Sequence, residues 1–213
     1  MLTLYLGNWQ LERLEWKKNL IQEFINLAKE KPLSLSMGKM KYRNIDEFTK
    51  IITKGTVDRS KKIFFPAKTY KGKNGFFIAS LLTDNHDNQY LIDEGWFEYD
   101  KLDYFKNNSD IISAEILGYL RFPTEKKLFT PKNSPQTNEW YYYDLKEIQK
   151  YFKTEINQKY FIKNMTNYSE EFLLPSTAEH NFSNNHLQYA ITWFLMSFSI
   201  LIIYIIYLIR KYK

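Results

Sequence analysis

The apolar and polar positions of this chain fall into three regimes. Trp9, Trp16, Leu20, Phe24 and Leu27 recur at three, four and seven residues, with Glu12, Lys17, Lys18 and Glu23 at other positions. That period predicts an amphipathic helix over residues 9–31, and Pro32 ends it because proline cannot continue the amide ladder. From residue 51 the character changes to short β-rich runs at 51–57, 62–70, 76–83, 90–99 and 111–122. Lys71-Gly72-Lys73-Asn74-Gly75, with two glycines for positive dihedrals, and Asp84-Asn85-His86-Asp87-Asn88 read as hairpin connections, so the strands they join should pair antiparallel. A Pro- and Asn-containing loop at 129–138 precedes the aromatic block from Trp140 to Tyr143. Asp144 then caps a short helix with the stripe Leu145, Ile148 and Phe152, and Glu147 stands in capping-box position. A last strand is expected at 160–165.

The third regime is residues 187–209, which carry no charged side chain. At about 1.5 Å per residue the run reaches roughly 34 Å as a helix, enough for a hydrocarbon core of about 30 Å. Arg210, Lys211 and Lys213 follow it, whereas the residues before it hold Glu170, Glu171 and Glu179. The asymmetry predicts a cytoplasmic basic tail at 210–213 and places residues 9–185 across the membrane as an extracytoplasmic β-rich domain. Met1, Leu2, Leu4, Tyr5 and Leu6 are apolar but too few to span, and residues 1–8 read as the remnant of a first span. The expected fold class is therefore α+β and β-dominated: an antiparallel sheet or partly closed barrel, an N-terminal amphipathic helix and a C-terminal transmembrane helix.

Composition narrows the function more than the fold. The chain has 213 residues and a formal charge of +6, but its 30 Lys and Arg are interleaved with 24 Asp and Glu, which argues against nucleic acid as a partner. It has no cysteine, which removes disulfides, thiolate metal sites and cysteine nucleophiles and fits a bacterial periplasm. No G-x-S-x-G, phosphate-binding glycine loop or H-E-x-x-H is present, and the carboxylates are scattered, so an enzyme is not expected. N-x-S/T triplets begin at Asn107, Asn164, Asn167 and Asn181, as chance supplies in an Asn-rich chain.

The candidate chemistry sits at the mouth of the apolar run. On a helix His186, Tyr189, Ala190 and Trp193 fall at i, i+3, i+4 and i+7 and share one face. An imidazole there is a candidate axial ligand for a haem iron, with Tyr189 and Trp193 as flat apolar surface beside a porphyrin. The same side chains also compose an ordinary interfacial belt, and spacing alone leaves both readings open. His86 and His180 read as solvated loop histidines.

Four local patterns, in order along nearly the whole chain, resemble the surfeit locus protein 1 family, the membrane-anchored assembly factors of cytochrome c oxidase. Leu6-Gly7-Asn8-Trp9-Gln10 with Arg13, Lys17 and Leu20 is similar to the family's LGxWQxxR segment. Gly75-Phe76 leading to Gly95-Trp96 resembles its GY strand and RGW turn. Phe129, Pro131, Asn133, Pro135, Asn138, Trp140 and Asp144 follow its FxPxNxPxxNxW loop and acidic helix start. Asn184-Asn185-His186-Leu187-Gln188-Tyr189-Ala190-Ile191-Thr192-Trp193-Phe194 resembles its NRHLxYAxTWF segment. Glu94 stands where the family has the arginine of its RGW turn, a reversed charge on the external domain, and Asn185 replaces the arginine before the histidine.

The resemblance implies assembly of the haem and copper subunit of a terminal oxidase, with haem a as transient cargo and oxidase subunits and assembly factors as partners beside the lipid bilayer. His186 would be the haem-iron ligand, helped by Tyr189 and Trp193. Gly7 and Trp9 would close the first span on the second, and Gly95 and Trp96 would be structural parts of the sheet. A haem-independent scaffold for oxidase subunits is the alternative. The expected place is a bacterial inner membrane with the domain in the periplasm, ahead of a mitochondrial inner membrane.

Overall fold

The computed structural model describes residues 2–35, 46–175 and 185–212. In chain order the elements are α1 (Leu2–Lys29), β1 (Leu33–Ser34), β2 (Lys50–Tyr70), β3 (Lys73–Asp84) and β4 (Gln89–Glu98). A 3-10 turn, Tyr99–Lys101, runs into α2 (Leu102–Asn107), followed by β5 (Ile111–Arg121), α3 (Leu145–Phe152), β6 (Phe161–Asn164) and α4 (His186–Lys211). They divide into two compact units, residues 27–177 and residues 1–26 with 178–213.

In the strand-rich unit β2 is one strand where the apolar pattern predicts two. It runs through 21 residues, and its pairing with β3 breaks register between Asp58 and Lys62. The unpaired residues bend the strand without ending it, as a bulge does. The first half of β2 pairs antiparallel with β5, from Lys50 against Tyr119 to Asp58 against Ile111. From Gly55 onward it pairs with β3, β3 pairs with β4, β4 with β6 and β6 with β5. The circuit closes, giving a five-stranded barrel with β1 added parallel to the start of β2. Closure removes the long unpaired edges an open sheet would expose. The α+β, strand-dominated class holds, but the sheet is mixed: β6 lies parallel to β4 and antiparallel to β5.

All five strands contribute to one apolar cluster: Ile51 and Val57, Leu82, Tyr90 and Ile92, Ile116 and Leu120, and Ile162. A second cluster joins the helix stripe Leu145, Ile148 and Phe152 to Phe65, Leu81 and Phe161, with Trp140 fully buried among them. Each such buried side chain contributes about 1.5–3 kcal/mol. Asp144 caps α3 as its sequence predicts, accepting from the amides of Lys146 and Glu147. The capping box itself does not close. Glu147 accepts from the side-chain amide of Asn133 at 2.9 Å instead, and the amide of Asp144 donates to the carbonyl of Tyr142.

Two local predictions need correction. The turn after β2 is made by Lys71 and Gly72, both at positive φ, while Gly75 lies inside β3, where a Cβ would meet the carbonyl of Phe97. The strand predicted over 90–99 stops at Glu98, and residues 99–107 form the 3-10 turn and α2. A single apolar anchor explains this: Phe105 is fully buried with its ring centroid 4.3 Å from that of Phe97, too little to show as a period.

Two irregularities place opposite charges in the core. Ile78 faces Gly95 and Ala79 faces Asp93, so Glu94 has no partner on β3. Arg59 occupies the break in β2. Both side chains are fully buried, and Arg59 Nη2 lies 2.8 Å from Glu94 Oε2. Glu94 is thus not a surface charge of the domain: it also accepts from Ser80 and Tyr168. The other side of the guanidinium holds Glu170, with Nη1 at 2.7 Å from Oε1 and Nη2 at 3.0 Å from Oε2. Burial pushes the Glu170 carboxyl up, but hydrogen bonds from Arg59, Ser169 and Tyr104 outweigh it and hold the group at about 2.

A backbone clamp lies beside this network. Gly95 has φ +144°, and a Cβ there would come 2.2 Å from the carbonyl oxygen of Leu174. Trp96 and Leu174 exchange both backbone hydrogen bonds at 2.7 Å. Gly95 and Trp96 are structural, as the resemblance implies.

Removing one partner of the buried network should be costly. Glu94→Ala is expected to lower the unfolding free energy of the detergent-solubilised chain by about 3–5 kcal/mol, measured in denaturant. Glu170 has a depressed carboxyl, so its stabilisation is present above the ordinary value of 4.5 and is lost as the pH falls toward about 2. The Tm difference between wild type and Glu170→Gln should therefore be constant above that value and vanish in strong acid.

Candidate functional site

In the helical unit α1 starts at Leu2, so residues 2–8 form its first turns and lead directly into the predicted amphipathic segment. Its covered face departs from the predicted stripe at the tryptophans, while Leu20 of that stripe is half-buried. Trp9 and Trp16 are exposed, whereas Gly7 is buried and Thr3, Gln10, Leu14 and Lys17 are half-buried. Those positions recur at three and four residues. The aromatic stripe misleads because close approach is set by the smallest side chain. A Cβ on Gly7 would come 2.7 Å from the ring of Phe194, so only glycine lets the helices meet there. Gly7 is thus the point where α1 and α4 approach, and Trp9 is exposed.

On α4 the predicted face is divided. Ala190 is buried at 1 % exposure, His186 and Trp193 are half-buried, and Tyr189 is 54 % exposed. His186 is the first residue of the helix, and Asn185 before it makes no side-chain cap. Across the helices His186 Nδ1 lies 2.7 Å from Gln10 Oε1. An amide oxygen only accepts, so the contact is a hydrogen bond in the tautomer with the proton on Nδ1, the form whose lone pair is on Nε2. Fixing one ring nitrogen this way is how proteins present the other to a metal. Gln10 is the residue that the periodicity reading missed. Its signal was its place in the run Gly7, Gln10, Leu14 and Lys17, which apolar spacing alone does not select.

α4 is the described helix long and apolar enough to cross a membrane, with 26 residues and a mean hydropathy of 2.2 in its most apolar window. Arg210 and Lys211 in its last turn also complement the negative end of the helix dipole.

The other candidates lie elsewhere. His86 sits in the β3–β4 loop, whose backbone is held by Asp84 Oδ1 accepting from the amides of His86 and Asn88. His180 and Asn181 lie outside the described residues, as does Asn184 of the α4 motif. Asn164 is buried, and its side-chain amide donates to the carbonyls of Glu94 and Thr166, a structural role. Phe129 is 94 % exposed at the tip of its loop.

The model of the SURF1 family matches residues 1–198 of this chain. A SURF1-like protein of Rickettsia felis is 28 % identical over 97 % of this chain and 92 % of its own length. A SURF1-like protein of Dictyostelium discoideum is 26 % identical over 95 % of the chain and 91 % of its own length. Surfeit locus protein 1 of Homo sapiens is 25 % identical over 90 % of the chain and 69 % of its own length.

The Gln10 contact is directly measurable. In nitrogen-15 histidine spectra at neutral pH, assigned with His186→Ala, the neutral His186 ring should be predominantly the Nδ1–H tautomer. Gln10→Leu should shift it toward Nε2–H, the form favoured by free imidazole in water. An unchanged tautomer would show that Gln10 does not orient the ring.

Proposed function

Because the chain belongs to the SURF1 family, a family of cytochrome oxidase assembly factors, we propose that it holds haem a at the first turn of α4 and passes it to the nascent haem and copper subunit. The observation that supports this reading is the contact of Gln10 Oε1 with His186 Nδ1, which favours the tautomer whose lone pair is on Nε2, at the mouth of an apolar helix. Haem a, when bound, supplies an iron that accepts an imidazole as axial ligand. His186 would hold the iron, and Trp193 and Tyr189 would offer flat surface to the macrocycle. One histidine on a helix end suits a ligand that must be released.

The apolar run 187–209 is read as the membrane anchor. Arg210, Lys211 and Lys213 put the tail in the cytoplasm, and residues 9–185 then face the periplasm of a bacterial inner membrane. Assembling oxidase subunits are the partners on that side.

Titration of the detergent-solubilised protein with haem a tests the proposal. Wild type should bind one equivalent with a shifted Soret band, and His186→Ala should lose that shift and weaken binding by at least tenfold. Equal binding by the variant removes His186 from the mechanism. Oxidase subunits recovered alike with wild type and His186→Ala, together with unimpaired assembly, would favour the haem-independent scaffold.

A further inference from the structure

The loop at residues 122–135, between β5 and the aromatic block, has a fixed base and a bare tip. At its base the amide of Thr124 donates to the carbonyl of Tyr143, and the amide of Tyr143 donates back to Thr124 Oγ1. Asn133 accepts from the amide of Tyr141 at 2.9 Å and donates to Glu147 at 2.9 Å. At the tip the carbonyl of Lys127 accepts the amide of Thr130 at 3.0 Å, a turn with Leu128 and Phe129 at its two central positions. These are 87 % and 94 % exposed, more than any other large apolar side chain among the described residues. Lys126, Lys127 and Lys132 flank them in sequence, all exposed, with Glu125 as the acidic neighbour.

We infer that this tip is a second membrane contact, with Leu128 and Phe129 entering the interfacial layer of an anionic bilayer and Lys126, Lys127 and Lys132 meeting its headgroups. The composition decides the class of partner. Lysine is depleted from the buried centres of protein interfaces, whereas an apolar point flanked by lysine is the arrangement of interfacial anchors. The pinned base favours insertion as well, since little loop entropy remains to be lost on contact. A bilayer is an occupant the chain itself brings, because the same chain carries the apolar helix α4. The inference rests on α4 as a membrane anchor and not on haem.

The absence of cysteine from the chain makes the test clean. A single Phe129→Cys variant of the full-length protein, labelled with an environment-sensitive fluorophore, is reconstituted in nanodiscs of phosphatidylcholine alone or mixed with phosphatidylglycerol. Near-ultraviolet circular dichroism verifies its fold, and resistance to alkaline carbonate extraction tests the α4 anchor separately. The label should shift to the blue in anionic discs and be shielded from an aqueous quencher. Each of Lys126→Gln, Lys127→Gln and Lys132→Gln in that background should lower the ratio of inserted to solvated tip about fivefold. Water-like emission in both disc types, with extraction resistance intact, overturns the inference. Shielding that appears only on adding oxidase subunits overturns it too, and marks the tip as a protein contact.

Discussion

A single guanidinium, that of Arg59, is the constraint on which the strand-rich unit depends. It is fully buried and carries a charge that Glu94 and Glu170 balance. Each carboxylate comes from a place where regular structure stops: Glu94 from the irregularity in β4, Glu170 from the chain after β6. Strand pairing alone would leave the segment after β6 free to lie in many ways. The ion network selects one, because any other leaves a charge in the core without its partner. Arg59 also stacks 5.3 Å over the ring of Phe105, which ties α2 to the same point.

The helical unit follows a different logic, in which size matters more than charge. Gly7 removes a side chain where Phe194 needs the space, and the close approach that results lets Gln10 reach His186. A larger residue at position 7 would hold the helices apart and leave the imidazole unpaired. The contact that orients the His186 ring thus comes from the opposite helix.

The sequence made much of this legible, and the losses have identifiable causes. The β-rich runs, the Asp144 cap and the α3 stripe could be read because each depends on neighbours close in sequence. The unbroken β2 could not, since polar Arg59, Ser60 and Lys61 look like a turn until their long-range partners are known. Closure of the barrel depends on β2 meeting β5 across more than fifty residues, and no local signal reports that pairing. At the candidate site, spacing selects the buried Ala190 and the half-buried His186 and Trp193 of α4 but also the exposed Tyr189. The covered face of α1 was obscured by Trp9 and Trp16, whose exposed rings carry a stronger apolar signal than a buried glycine. Glu94 misled in the same way: a charge in sequence reads as surface, and only three-dimensional pairing shows it in the core.

The clamp between Trp96 and Leu174 has a mechanical meaning. It lies along the chain between the last barrel strand and the apolar helix, as does the Arg59–Glu170 pair. Tension transmitted along the backbone from α4 meets these contacts before it reaches β6. The two backbone hydrogen bonds and the ion pair would yield first, as a strain relief does on a cable, and the barrel would keep its pairing while the membrane end is pulled.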